Sequence, residues 1–252
     1  MLKNFQTPTI FLGLFLRKFD VSDFKSFSET LPWRLPELDA DAPQFANLPP
    51  NAPPDQPRVR FLSKDGRLQL EVAPAKIHFR MMPGEVTQNE QGQASLKALP
   101  VPEAFESFIP QAMRVHTTLT EHFGATSSRV GIITDMIAPV PSSANQRIQK
   151  YIMGGSNLLG ERLADININV LSRVQLPNDG PNVNRRIMVR GIRSGGPQGP
   201  GGDLLLNVNV DVNTLAEEPY DITTAELEKF LRGVSKHMDT SVPLLNEPQI
   251  FE

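Results

Sequence analysis

From Leu204 to Asn213 the chain alternates strictly. Leu204, Leu206, Val208, Val210 and Val212 fall on one parity, and Leu205, Asn207, Asn209, Asp211 and Asn213 on the other. A helix would scatter these two sets around its circumference, whereas a strand turns them to opposite faces of a sheet. One face then meets a core and the other meets water, which is the habit of antiparallel sheets. Asp165, Asn167 and Asn169, alternating with Ile166, Ile168 and Val170, read the same way. The expected fold is therefore α+β: a largely antiparallel sheet built from two meanders, with helices packed on one face.

The rest of the chain sets that sheet's surroundings. A length of 252 residues, 39% of them hydrophobic, supports one large core. We read 1–252 as a single domain with halves 1–125 and 126–245. The net charge of -3 gives no overall field toward nucleic acid or anionic membrane. The absence of cysteine removes disulfides, thiolate nucleophiles and Cys-ligated metals, and it fits a cytoplasmic location. Residues 10–16 are all apolar or Gly, but a membrane span needs about 20 such residues. That run reads as a central strand buried on both faces, and no membrane partner is expected.

In chain order, Asp20 or Ser22 caps a short helix carrying Phe24, Phe27 and Leu31. The Pro-dense segment 32–57 reads as an extended connector without helix or strand. Strands at 58–62 and 67–72 flank the turn Lys64-Asp65-Gly66, and 76–82 adds a third. Residues 88–102 read as a loop. A long helix runs through 105–123 to Gly124, with Pro110 kinking it or marking its first turn. A strand at 129–137, a short helix at 143–153 and strands at 163–176, 183–193 and 203–213 follow, with a Gly/Pro loop at 194–202. Thr223, Glu226 and the pair Ile222–Leu227 give the last helix a capping box and a staple. The stretch 242–252 reads as a loosely held tail.

This layout carries a resemblance. Thr7-Pro8-Thr9 opening a strand, the hairpin from Arg60 to Leu68, Phe105 to Pro110 entering a long helix, Arg129 to Ile133, and the closing strand and helix through His237 come in a familiar order. The chain resembles a sporadically distributed family of uncharacterised prokaryotic proteins of about this length. The resemblance implies an association with mobile or antiviral defence genes, and it carries over no catalytic residue.

Candidate sites are few. Arg185, Arg186, Arg190 and Arg193 lie on one expected strand beside the Gly/Pro loop, and together they suit phosphate or carboxylate. A run of this kind more often forms a solvated face, and the aromatics nearest in sequence are Tyr151 and Tyr220. Trp33, the single tryptophan, either anchors the Pro-rich connector in the core or faces a protein partner. Asp165-x-Asn167-x-Asn169 has calcium-loop spacing but lacks the loop's Gly and terminal Glu, so a strand explains it better. Asp135, Asp165 and Asp211 lie on expected strands and could converge as the metal-binding acidic trio of a nuclease, but three exposed strand carboxylates are more simply an ordinary surface. His78 shares a basic strand face with Lys76 and Arg80, His116 falls on a helix's apolar stripe, and His122 and His237 read as last-turn residues. No metal or cofactor is expected.

The leading expectation is a non-enzymatic interaction or scaffold protein with a protein partner. The alternative is a nucleic-acid- or nucleotide-recognising subunit using the Arg strand, and a metal-dependent hydrolase ranks third. Open sheet edges leave self-association as a further expectation.

Overall fold

The computed structural model describes residues 5–19, 21, 23–38, 43–49, 51–88, 94–141, 167–193, 204–218 and 220–241. Its elements, in order, are β1 (Gln6–Lys18), α1 (Phe24–Arg34), a 3-10 turn (Pro36–Leu38), β2 (Gln44–Phe45), β3 (Val59–Leu62), β4 (Leu68–Val72) and β5 (Lys76–Met81). There follow β6 (Gly84–Gln88), β7 (Ala94–Pro100), α2 (Val101–Phe123), β8 (Thr126–Val140), β9 (Asn167–Gln175), β10 (Asn182–Arg193), β11 (Leu204–Thr214) and α3 (Thr224–Ser241). The fold is α+β around a largely antiparallel sheet, as the alternating strands require. No helix among the described residues is long and apolar enough to cross a membrane.

The strands lie in the order β2-β3-β4-β5-β1-β8-β11-β10-β9, with the β6–β7 hairpin hung on the start of β1. Both sides of the centre are built alike. Each opening strand, β1 or β8, pairs with the last strand of its own meander, β5 or β11, and the two opening strands pair with each other. That central pairing is antiparallel and sets Gly13 opposite Gly131.

One face is covered. Leu12 on β1, Ile132 on β8, Val210 on β11 and Phe79 on β5 share it with Phe105 and Phe108 of α2 and Phe230 and Leu231 of α3, all buried. Helix α2 is longer than expected. Pro102 sits in its first turn, where a missing amide costs no hydrogen bond, so Pro110 is an interior residue and not the start. Gly124 ends it in the left-handed conformation (φ 61°), its amide reaching Leu119 O. The expected cap of α3 is present: Thr223 N–H donates to Glu226 Oε2 at 2.8 Å, and Glu226 N–H to Thr223 Oγ1 at 3.3 Å.

Several expectations need correction. The cap of α1 is Asp23, whose carboxylate accepts from Lys25 N–H at 2.9 Å, and Asp20 and Ser22 lie outside the described residues. The Pro-rich segment is not structureless. Pro32 lies inside α1, and the segment also contributes the 3-10 turn and β2. Residues 94–100 form β7, where sequence alone suggested a loop. Their partners Gly84–Gln88 lack apolar alternation, so only the pairing itself defines that hairpin. The expected helix at 143–153, the Gly/Pro loop at 194–202 and the tail at 242–252 lie outside the described residues.

Candidate binding face

The second face of the sheet has no helix of the described residues on it. Cross-strand register fixes its content, because directly opposed residues project to the same side. Along its centre run Phe11, Gly13 and Phe15 of β1 and Arg129, Gly131, Ile133 and Asp135 of β8. Lys76, His78 and Arg80 of β5 lie on one flank, and Asn207, Asn209, Asp211 and Asn213 of β11 on the other. Farther out come Glu71 and Arg60 on the first side, and Arg186, Arg190 and Arg173 on the second.

This register corrects three readings. Residues 10–16 are not buried on both faces. Ile10, Leu12 and Leu14 are buried beneath the helices, while Phe11 and Phe15 stand half-buried on the open face. The four arginines do not form one surface. Arg186 and Arg190 project to the open face, but Arg185 has the opposite parity and donates from Nη1 to His237 Nε2 of α3 at 2.9 Å. Arg193 closes β10 opposite Leu204. The aromatics that share this face with Arg186 and Arg190 are Phe11 and Phe15, remote in sequence and three strands away in the β1–β8–β11–β10 order. Sequence spacing carries no signal for that arrangement.

Charge is unevenly divided. Across the paired strands from β3 to β9, the open-face positions hold seven cations (Arg60, Lys76, Arg80, Arg129, Arg173, Arg186 and Arg190) against three carboxylates, Glu71, Asp135 and Asp211. Two loop carboxylates, Glu217 paired with Arg173 and Asp55 acting on Lys76 and His78, cut this surplus of four to two, on a chain whose net charge is -3. Lys76 Nζ and the Arg129 guanidinium both lie against the Phe15 ring, 4.7 and 4.6 Å from its centroid. The Phe11 and His78 rings meet with centroids 4.7 Å apart.

The centre of this face is partly desolvated. Burial lowers the Lys76 pKa, nearby Arg129 lowers it further, and the carboxylates of Asp55 and Asp211 only partly oppose this. Burial also lowers the His78 pKa, with Lys76 adding to it. Burial raises the Asp211 carboxyl against the hydrogen bond from Asn213 and the charges of Arg186 and Lys76. The side-chain nitrogens His78 Nε2 and Arg129 Nε are buried without a hydrogen-bond partner. Two unmet buried nitrogens beside titratable groups shifted by burial make this part of the face a candidate site. At Gly131 an added Cβ would run into the Asn213 amide, which lies across the glycine. The glycine pair thus keeps the middle of the face low.

Other candidates fare differently. Asp135 accepts from Asn209 Nδ2 at 2.7 Å, Asp165 lies outside the described residues, and among those residues no group of three His, Asp or Glu side chains is placed to hold a metal ion. Asn167 and Asn169 sit on a plain edge strand. Trp33 does not anchor the connector: it is 87% exposed on α1. A cavity of about 470 Å³ between the β3–β4 turn, the 3-10 turn and α2 is lined by Glu37, Ser63, Asp65, Arg67, Ser107 and Gln111, and both Glu37 oxygens are buried without a hydrogen bond. Burial alone would raise the Asp65 pKa there, but hydrogen bonds from Ser63 and Arg67 outweigh it and hold it at about 2. Glu37 pairs with Arg114 at 3.1 Å.

The histidines predict a pH response. Burial lowers the pKa of His78, His116 and His237, with Lys76 adding at His78 and Arg185 at His237. His237 lies inside α3, not in its last turn, which explains its contact with Arg185. In the unfolded chain each titrates near about 6.5. Below that pH the unfolded state binds more protons than the folded one, so stability rises with pH through this window and is lost as pH falls below it. The melting temperature is expected to drop between about pH 7.5 and 5.5. His116→Gln, which removes the most buried of the three, is expected to flatten the profile, read by thermal melts at constant ionic strength.

No family model, no curated protein and no solved structure matches the chain.

Proposed function

We propose that the protein is a non-enzymatic binding module whose open sheet face holds a flexible polyanion, with single-stranded nucleic acid as the ligand class. The observation that carries this reading is the basic surplus on one face of an acidic chain, centred on Phe11 and Phe15. Backbone phosphates suit Arg186, Arg190, Lys76 and Arg129. Base edges suit the amides of Asn207, Asn209 and Asn213, which donate and accept. An antiparallel sheet with central aromatics can stack unpaired bases, which a duplex would keep out of reach. A role in prokaryotic defence rests on the resemblance in layout alone.

Fluorescence anisotropy with labelled single-stranded DNA and RNA of ~12 nucleotides tests the reading. Binding is expected at low salt, weakening with a log–log slope of about -0.7 per phosphate contact. Affinity that is absent at low salt, or that ignores salt, would sink it.

A protein partner is the second reading, favoured by Trp33. An 87% exposed tryptophan at the end of α1, next to a Pro-rich segment, is an unusual expense of apolar surface unless something docks there.

A further inference from the structure

The two ends of the sheet are finished differently. At one end β2 is two residues long, with Pro43, Pro49 and Pro50 close by in sequence, a short edge that a neighbouring strand cannot extend. At the other end β9 runs for nine residues and, among the described residues, pairs only with β10. It carries no Pro and no Lys. Val170 and Leu171, adjacent on it, are 47% and 74% exposed.

The outward backbone groups of β9 can be assigned. At the turn into β10, Leu176 N–H donates to Pro181 C=O. Inward and outward pairs alternate along an antiparallel ladder, and the register of β9 on β10 is unbroken. Val174, Ser172, Val170 and Ile168 therefore direct their amides to β10. Asn167, Asn169, Leu171, Arg173 and Gln175 direct theirs outward.

The sequence of β9, Asn167-Ile-Asn-Val-Leu171-Ser-Arg-Val-Gln175, matches in chemical type about Leu171 at its outer pairs, Asn167 with Gln175 and Ile168 with Val174. A two-fold axis through Leu171 sets Asn167 against Gln175, Ile168 against Val174, Asn169 against Arg173 and Leu171 against its own copy. No like charges oppose, Ile168 meets Val174 while Val170 meets Ser172, and all five outward residues on each strand find ladder partners. We propose that β9 pairs antiparallel with β9 of a second copy of this chain, joining the two sheets edge to edge about Leu171. The inference is independent of what the open face binds.

Sedimentation equilibrium of the full chain up to about 100 µM is expected to give twice the 27.9 kDa monomer mass. Leu171→Pro removes an outward amide and leaves the β10 ladder intact, so it is expected to run as a monomer with unchanged circular dichroism. If that variant fails to fold, Leu171→Lys decides, since it opposes two ammonium groups across the axis. The chain has no native cysteine, so Leu171→Cys is expected to oxidise to a covalent dimer, with Cα atoms about 5.5 Å apart, whereas Arg173→Cys is not. A monomer mass at the highest concentration would overturn the proposal. So would a dimer that survives both Leu171→Pro and Leu171→Lys, or faster cross-linking through position 173.

Discussion

Phe108→Ala is expected to destabilise the fold by about 3–5 kcal/mol and to lower the melting temperature by roughly 6–20 °C. Phe108 is fully buried on α2, and its ring stacks on Phe79 of β5 with centroids 5.7 Å apart and planes 25° apart. Truncation removes apolar contact area and the ring–ring term together. The floor of the resulting hole cannot rise to fill it, because β5 is laddered to β4 on one side and β1 on the other. Nor can the roof sink freely, since Phe105, Ile109 and Ala112 on the same helix are already buried. By contrast Phe45→Ala, at a residue 52% exposed on β2, is expected to change stability by no more than about 0.5 kcal/mol. Circular dichroism in urea is the suitable measurement. Trp33 is so exposed in the folded chain that its emission is a poor report of unfolding.

The second large effect is on binding. Arg186→Ala with Arg190→Ala is expected to weaken single-stranded nucleic acid by about ten- to hundredfold at low salt, and to make the log–log salt slope shallower by about 1.4. Both guanidinium groups lie on the open face, two residues apart on β10, and Arg186 Nε donates to Asn169 Oδ1 at 2.9 Å. Arg185→Ala is the informative control. It deletes an identical charge next in sequence, but from the helix-covered side, and is expected to leave affinity unchanged. Equal losses from all three arginines would mean that general charge, not this face, attracts the ligand. No loss from Arg186 and Arg190 together would remove β10 from the interface.

Much of the fold is legible in local chemistry, and the open face mostly is not. The period-two run of β11, the Lys64-Asp65-Gly66 turn and the Thr223–Glu226 box each settle their element because the deciding contacts lie within a few residues. β7 is missed because Ala94–Pro100 becomes a strand through pairing with Gly84–Gln88 and β1, a long-range gain that outweighs weak propensity. The arginine run misleads for a different reason. Four arginines in nine residues look like one patch, and a strand divides Arg185 from its neighbour Arg186. Phe11 and Phe15 are hidden in an apolar run whose sequence does not say that one side carries no helix of the described residues. Trp33 shows the limit of composition: a large apolar residue beside prolines looks like an anchor, and α1 turns it outward.

The pairing of β1 with β8 also has a consequence for synthesis. Residues 6–18 emerge from the ribosome well over a hundred residues before their partner 126–140. Until then, the first half presents one edge of its longest and most apolar strand to whatever is nearby. Folding of this chain is therefore expected to be late and slow for its size, since its central seam closes across a long stretch of sequence. A nascent chain halted near residue 125 is expected to engage a holding chaperone or to aggregate through β1, and release of β8 is expected to end that exposure.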